Sequence, residues 1–145
     1  MNLAQKIAAF SAGGFLLAGL LFGVWKYLQI SQSPKAQASP YVDIAHRAAL
    51  LYSFACLVVE RFVVLSALDD TIELIAVIAQ IGFFAVGVST YVIHGLLKDT
   101  DNQFERPHRL GRAVVPPAVM VASMVALIAG ELGGFAVLFW GAVTT

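Results

Sequence analysis

Four long apolar runs, separated by short polar interruptions, set the pattern of this chain. The first extends from Ile7 to Trp25, uncharged between Lys6 and Lys26, and the second starts near Pro40 and ends near Leu68, interrupted by Glu60 and Arg61. The third lies between Glu73 and Lys98, and the fourth between Arg112 and the C-terminus, broken only by Glu131. Each is near or above the ~20 residues that cross about 30 Å of hydrocarbon as a helix. The runs are continuous rather than alternating, which predicts helices and not a barrel. The pattern therefore predicts one integral membrane domain over residues 1–145, an all-α bundle of four transmembrane helices at about 7–29, 40–67, 72–97 and 114–143.

Composition excludes a soluble protein. Mean hydropathy is +0.82, and 12% of residues are charged, where a globular domain carries about a quarter. Net charge is zero, so the molecule offers no field for nucleic acid, although Arg106, Arg109 and Arg112 suit the anionic headgroups of a lipid bilayer. The single cysteine, Cys56, lies in the second span and cannot form an intrachain disulfide. Ala36-Gln37-Ala38 has the small-x-small shape of a signal-peptide cleavage site. The first run, however, is longer than an ordinary signal core and ends in Trp25-Lys26-Tyr27, an interfacial anchor pattern, so it is read as a retained span.

With four spans, both termini and the turn at Asp69-Asp70 share one side, which holds only Lys6. The other side holds Lys26, Lys35, Arg47, Lys98, Arg106, Arg109 and Arg112. The positive-inside rule places the two longer loops in the cytoplasm and both termini outside. Small residues predict where helices meet. Ala118, Ala122, Ala126, Gly130 and Gly134 form a four-residue ridge in the fourth span, and Gly19 and Gly23 repeat the motif in the first, open to intrachain or oligomeric contact. Pro116-Pro117 suits a helix start, and Ser39-Pro40 does too, with Ser39 as N-cap.

Polar residues inside the spans are costly and mark pairing or function. A contact between Arg61 and Glu131 would neutralise both; a proton or substrate path is the alternative. Gln80, Tyr91 and His94 share one face of the third helix, as do His46, Leu50, Ser53, Leu57 and Glu60 in the second. If these stripes face each other, His46 with Ser53 and His94 with Tyr91 make a pocket opening to the cytoplasmic side. All three histidines, His46, His94 and His108, fall on that side with Asp43, Asp99 and Asp101. They offer ligands for zinc, but the short spacings of zinc motifs are absent. Two apposed histidines would equally clamp haem iron, or one would ligate it and leave the other face open; no C-x-x-C-H for covalent attachment is present. The run Asp99-Thr100-Asp101-Asn102-Gln103 has the flavour of a calcium loop without its glycine and distal glutamate, and reads as a polar turn.

The Ala45-His46 pair opening the second helix, the leucine-rich stretch after it, and Asn102-Gln103-Phe104 beyond the third helix resemble the styrene oxide isomerase and hydroxylaminobenzene mutase group, in a layout covering most of the chain. The resemblance implies a small homotrimer of the bacterial inner membrane with haem b between subunits and His46 as axial ligand; His94 is the second cofactor-binding candidate. It further implies that ferric iron acts as a Lewis acid on a small hydrophobic epoxide or hydroxylamine, rearranging it without net oxidation. Tyr91 lies near the tyrosine that lines the pocket in that group and is the candidate hydrogen-bond donor. Tyr52 stands where those proteins carry an asparagine six residues beyond the histidine, which puts the substrate and the reaction in question. The contrasting class is a non-enzymatic membrane protein, either a bis-histidine haem electron carrier or an accessory subunit of a membrane complex.

Overall fold

The computed structural model describes residues 1–144 and consists of four helices and one small hairpin. Helix α1 spans Leu3–Gln32, α2 Pro40–Leu65, α3 Asp70–Leu97 and α4 Pro117–Val143; strands β1, Arg109–Leu110, and β2, Ala113–Val114, pair antiparallel before α4. The helices have 30, 26, 28 and 27 residues. At 1.5 Å per residue each exceeds the hydrocarbon thickness, and all four are apolar enough to cross a membrane. The protein is an all-helical bundle with the character of an integral membrane protein. The hairpin was not expected: Gly111, at φ +61°, supplies the turn, and Ala113 and Val114 leave the fourth apolar run to form it.

Capping ties one end of the bundle together. Asn2 and Gln5 form a reciprocal capping box on α1, and the Asn2 side chain also donates to Asp70 Oδ1 and Glu73 Oε2, both at 2.9 Å. Asp69 caps α3 by accepting from the Thr71 amide, a bond that holds its carboxyl below the usual range. The Ala67 amide donates to the Gly141 carbonyl, so both termini and the α2–α3 turn share an end. At the opposite end, Ser39 occupies the N-cap position of α2 without the expected side-chain bond; its amide donates instead to Gln29 Oε1 at 2.8 Å.

Helices α2 and α3 form the middle of the bundle, with α1 and α4 flanking them on opposite edges. Small residues let α1 approach α2 closely. Ala4, Ala8, Ala12 and Gly19 are buried against a face of α2 that includes Ala45, Ala49, Cys56 and Val59. A Cβ on Gly19 would lie 2.7 Å from Leu50 Cδ2, so the Gly19–Gly23 motif serves contact within the chain. Outward-facing apolar residues such as Phe10, Leu51 and Trp140 suit a lipid surround.

Within one copy, two expectations from the sequence are not met. The ridge on α4 does not pack as a unit inside the chain: Gly130 and Gly134 meet α3, whereas Ala118, Ala122 and Ala126 are exposed. Every fourth residue advances about 40° around a helix of 3.6 residues per turn, so a strict four-residue row drifts off any straight contact. The stripe that packs is Gly130, Gly134, Leu138 and Gly141, mixing steps of three and four. Nor does Arg61 pair with Glu131: among the described residues no ion pair joins them, and Arg61 is exposed near the end of α2, where a long side chain reaches the interface. Glu131 instead lies beside Gln80, whose Nε2 donates to the Glu131 carbonyl at 3.3 Å. Oε1 of each is buried without a partner among the described residues.

Candidate functional site

Along α4, residue size decides where the helix touches α3 and where it stands away. A Cβ on Gly134 would lie 2.7 Å from the Ala76 carbonyl oxygen, and one on Gly141 would lie 2.4 Å from Ser66 Oγ, so the half of α4 near the termini is in close contact with its neighbours. Towards the loops, Met120, Met124 and Leu127 occupy the facing positions, and a cavity of about 320 Å³ separates the helices. Phe83, Gly87, Tyr91 and His94 of α3 form one wall, with Tyr52 of α2 beside them. Gln103, Phe104, Leu110 and Val115 from the α3–α4 connection roof it. Val86 and Ser123 line it too and are exposed on the bundle's flank, with Thr90 half-buried beside them, which makes the opening lateral, between two helices of membrane-spanning length.

The roof is fixed by a set of hydrogen bonds radiating from the ends of α2 and α3. Lys98, in the left-handed conformation, terminates α3 and turns the chain so that Asp99 folds back on His94. His94 Nδ1 and Asp99 Oδ1 are 2.8 Å apart, and Asp99 Oδ2 accepts from the Gly111 amide at the hairpin turn. Burial alone would raise the Asp99 carboxyl; the Gly111 amide and the His94 ring outweigh it, and its affinity for a proton is lowered. Tyr41 Oη accepts from the Gln103 amide, and the Tyr41 ring lies 4.9 Å from that of His94 and 6.1 Å from that of Tyr91. His108 Nδ1 bonds the Gln103 carbonyl at 3.1 Å, which makes it a structural part of the roof.

Inside the cavity several polar groups have no protein partner. The hydroxyls of Tyr52 and Tyr91, the side-chain amide of Gln103 and Nε2 of His94 make no hydrogen bond among the described residues, and none of these atoms is sealed from the surface. A few polar groups that converge, open and unpartnered, on a largely apolar cavity mark a place for a ligand. The structure thus brings three of the sequence candidates, Tyr52, Tyr91 and His94, into one cavity. Tyr52 is held by stacking on Phe84, ring centroids 4.2 Å apart.

His46 lies elsewhere. Its Nδ1 is 2.7 Å from the Gly19 carbonyl, and a Cβ on Gly23 would come within 2.9 Å of the ring, so the two glycines of α1 make its berth. Helix α1 contributes nothing to the cavity, and His46 and His94 share no contact. The expected pocket between a His46–Ser53 stripe and a His94–Tyr91 stripe does not form, because Ser53 donates to its own helix at Leu50 and α3 meets α4 rather than His46 across the polar stripe. Asp43, expected beside the histidines, pairs with Lys26 and Arg47. In the Asp99–Gln103 loop, Thr100 and Asn102 spend their side chains on turn bonds. Among the described residues no three His, Cys, Asp or Glu side chains converge on a metal position.

The sequence places Asp99 on the same side as His94 but does not mark it as the partner of the ring, and it offers Gln103 without marking it as a cavity residue. A left-handed turn at a lysine is not visible in the sequence, and without it Asp99 reads as a polar loop residue. The chain matches no protein-family model, and no curated protein or solved structure is significantly similar to it.

Proposed function

We propose that this protein is a membrane isomerase that takes a small, mostly apolar, oxygen-bearing molecule from the bilayer into the α3–α4 cavity and rearranges it with the help of haem b. The observation that carries the reading is the cavity itself, apolar-walled, laterally open and furnished with unpartnered hydroxyl, amide and imidazole groups. An accessory subunit would need no such furnishing. The substrate is an epoxide or hydroxylamine, as the resemblance to the styrene oxide isomerase group implies.

The donor set of His46 fits a haem ligand. Its Nδ1 bonds the Gly19 carbonyl, which fixes the ring and leaves Nε2 with its lone pair free and without a protein partner, the arrangement common to metal-binding histidines. Haem held there would supply a Lewis-acidic ferric iron. Within one copy His46 is on the α1–α2 edge and the cavity on the α3–α4 edge, so the reading requires the homotrimer with haem between subunits that the resemblance implies. The chain's own residues do the rest: Tyr91 and Tyr52 present hydroxyls that would hold the substrate oxygen and donate to it as negative charge develops, while the apolar walls exclude water. On this reading the arginine-bearing loops face the cytoplasm of a bacterial inner membrane.

The test is a visible spectrum of the purified protein. The reading predicts a Soret band with the high-spin ferric features of iron with an open position. A low-spin spectrum would favour the bis-histidine electron carrier, and a protein that takes up no haem even when supplied with it would overturn the haem assignment.

A further inference from the structure

Both oxygens of the Asp99 carboxylate are committed, and this fixes more than the roof. One accepts from the Gly111 amide, the other meets His94 Nδ1 at 2.8 Å. A carboxylate only accepts, so Nδ1 carries the proton in this pair, and in the neutral ring Nε2 is left as an acceptor. The ring cannot easily turn away from this arrangement, for His94 is 4% exposed and its ring lies against Tyr41. His94 lines the cavity, and Nε2 is its only nitrogen available to an occupant.

We propose that Asp99 is a positioning residue that fixes His94 as a hydrogen-bond acceptor in the α3–α4 cavity, so that the cavity selects small apolar molecules carrying an O–H or N–H donor, and of the two substrate classes above favours a hydroxylamine over an epoxide. This rests on reading the cavity as a substrate site and is independent of the iron. The hydroxyls of Tyr52 and Tyr91 both donate and accept, so they serve ethers and alcohols alike. His94 discriminates, because an acceptor buried in an apolar site loses its solvation to any occupant that brings no donor.

Asp99→Asn reverses the polarity. The Gly111 amide still requires an oxygen, so the carboxamide oxygen stays with Gly111 and its NH₂ faces His94 Nδ1. Nδ1 then becomes the acceptor and the proton moves to Nε2. The shape of the site is preserved while its hydrogen-bonding sense inverts.

The experiment uses the full chain in lipid nanodiscs, labelled with ¹⁵N-histidine and titrated with 4-ethylphenol and with its O-methyl ether, 4-ethylanisole. His94 resonances are assigned by their loss in His94→Gln. The wild type is expected to show Nδ1 protonated and to bind the phenol about tenfold more tightly than the ether. Asp99→Asn is expected to show Nε2 protonated and to lose or reverse that preference. Equal affinity of the wild type for the two ligands, or a wild-type His94 that carries a proton on Nε2, whether alone or together with Nδ1, overturns the proposal whether or not the variant folds. Retention of the phenol preference by a folded Asp99→Asn does so as well. If neither ligand binds, the substrate-site reading of the cavity fails and this proposal falls with it.

Discussion

Gly134→Leu is expected to destabilise the bundle by about 3 kcal/mol, the upper part of the range for overpacking a close contact. The position has no room even for a methyl group: a Cβ there would lie 2.7 Å from the Ala76 carbonyl oxygen and 3.2 Å from Gln80 Cβ, and a backbone carbonyl in mid-helix cannot move aside as a flexible side chain can. Helix α4 would be pushed off α3 where the two backbones approach closely, breaking the bond from Gln80 to the Glu131 carbonyl and exposing two buried polar groups to the bilayer. Ala122→Leu is the control. It belongs to the same four-residue row but is exposed, and a leucine there is expected to change stability by no more than about 0.5 kcal/mol. Unfolding of both variants in mixed micelles, followed by helicity, compares them directly. Equal destabilisation would mean that the whole row packs, in a contact between copies of the chain.

The contrast between these two positions shows what was legible in the sequence and what was not. Helix number, approximate bounds and membrane character follow from hydropathy alone, because twenty-odd uncharged residues have few other ways to fold. The pairing of helices does not follow. Ala122 and Gly134 read alike in a one-dimensional row, and only the crossing of α4 over α3 separates them. The same holds at the site. Tyr91 and His94 are three residues apart on one helix, and their shared face was predictable from periodicity, whereas Tyr52 reaches the cavity from another helix. His46 was expected to face His94 because both are polar and near one membrane surface. The glycines at 19 and 23 decide otherwise by leaving room, and an open carbonyl, on α1. Asp99 was invisible as a partner because its approach to His94 depends on a backbone turn at Lys98 that the side-chain sequence does not announce.

His46→Ala is expected to abolish haem retention while leaving the bundle intact. The imidazole is the only group in its berth offering a nitrogen lone pair, and its removal leaves Gly19 and Gly23 facing a methyl group. A haem without its axial ligand relies on apolar contact alone, so the Soret absorbance per protein should fall to near background after size-exclusion chromatography. Helicity and oligomer size should match the wild type, since His46 contributes one hydrogen bond to a seam made of many small-residue contacts. His94→Ala is expected to keep its haem, because His94 is committed to Asp99 and shares no contact with His46. The reverse result, haem lost from His94→Ala and kept by His46→Ala, would move the iron to the cavity.

The proposed isomerase would rearrange a small oxygenated molecule held by the unpartnered polar groups of the lipid-facing cavity, with haem supplying the Lewis acid. It is tested most directly by product analysis with haem-loaded protein in nanodiscs, supplied separately with styrene oxide and phenylhydroxylamine. The account predicts conversion of at least one to its isomer, phenylacetaldehyde or an aminophenol, with no added oxidant or reductant, and a rate lowered about tenfold or more in Tyr91→Phe, which loses the donor to the substrate oxygen. No conversion of either compound above the rate with free haem, by protein shown to carry its haem, would contradict it.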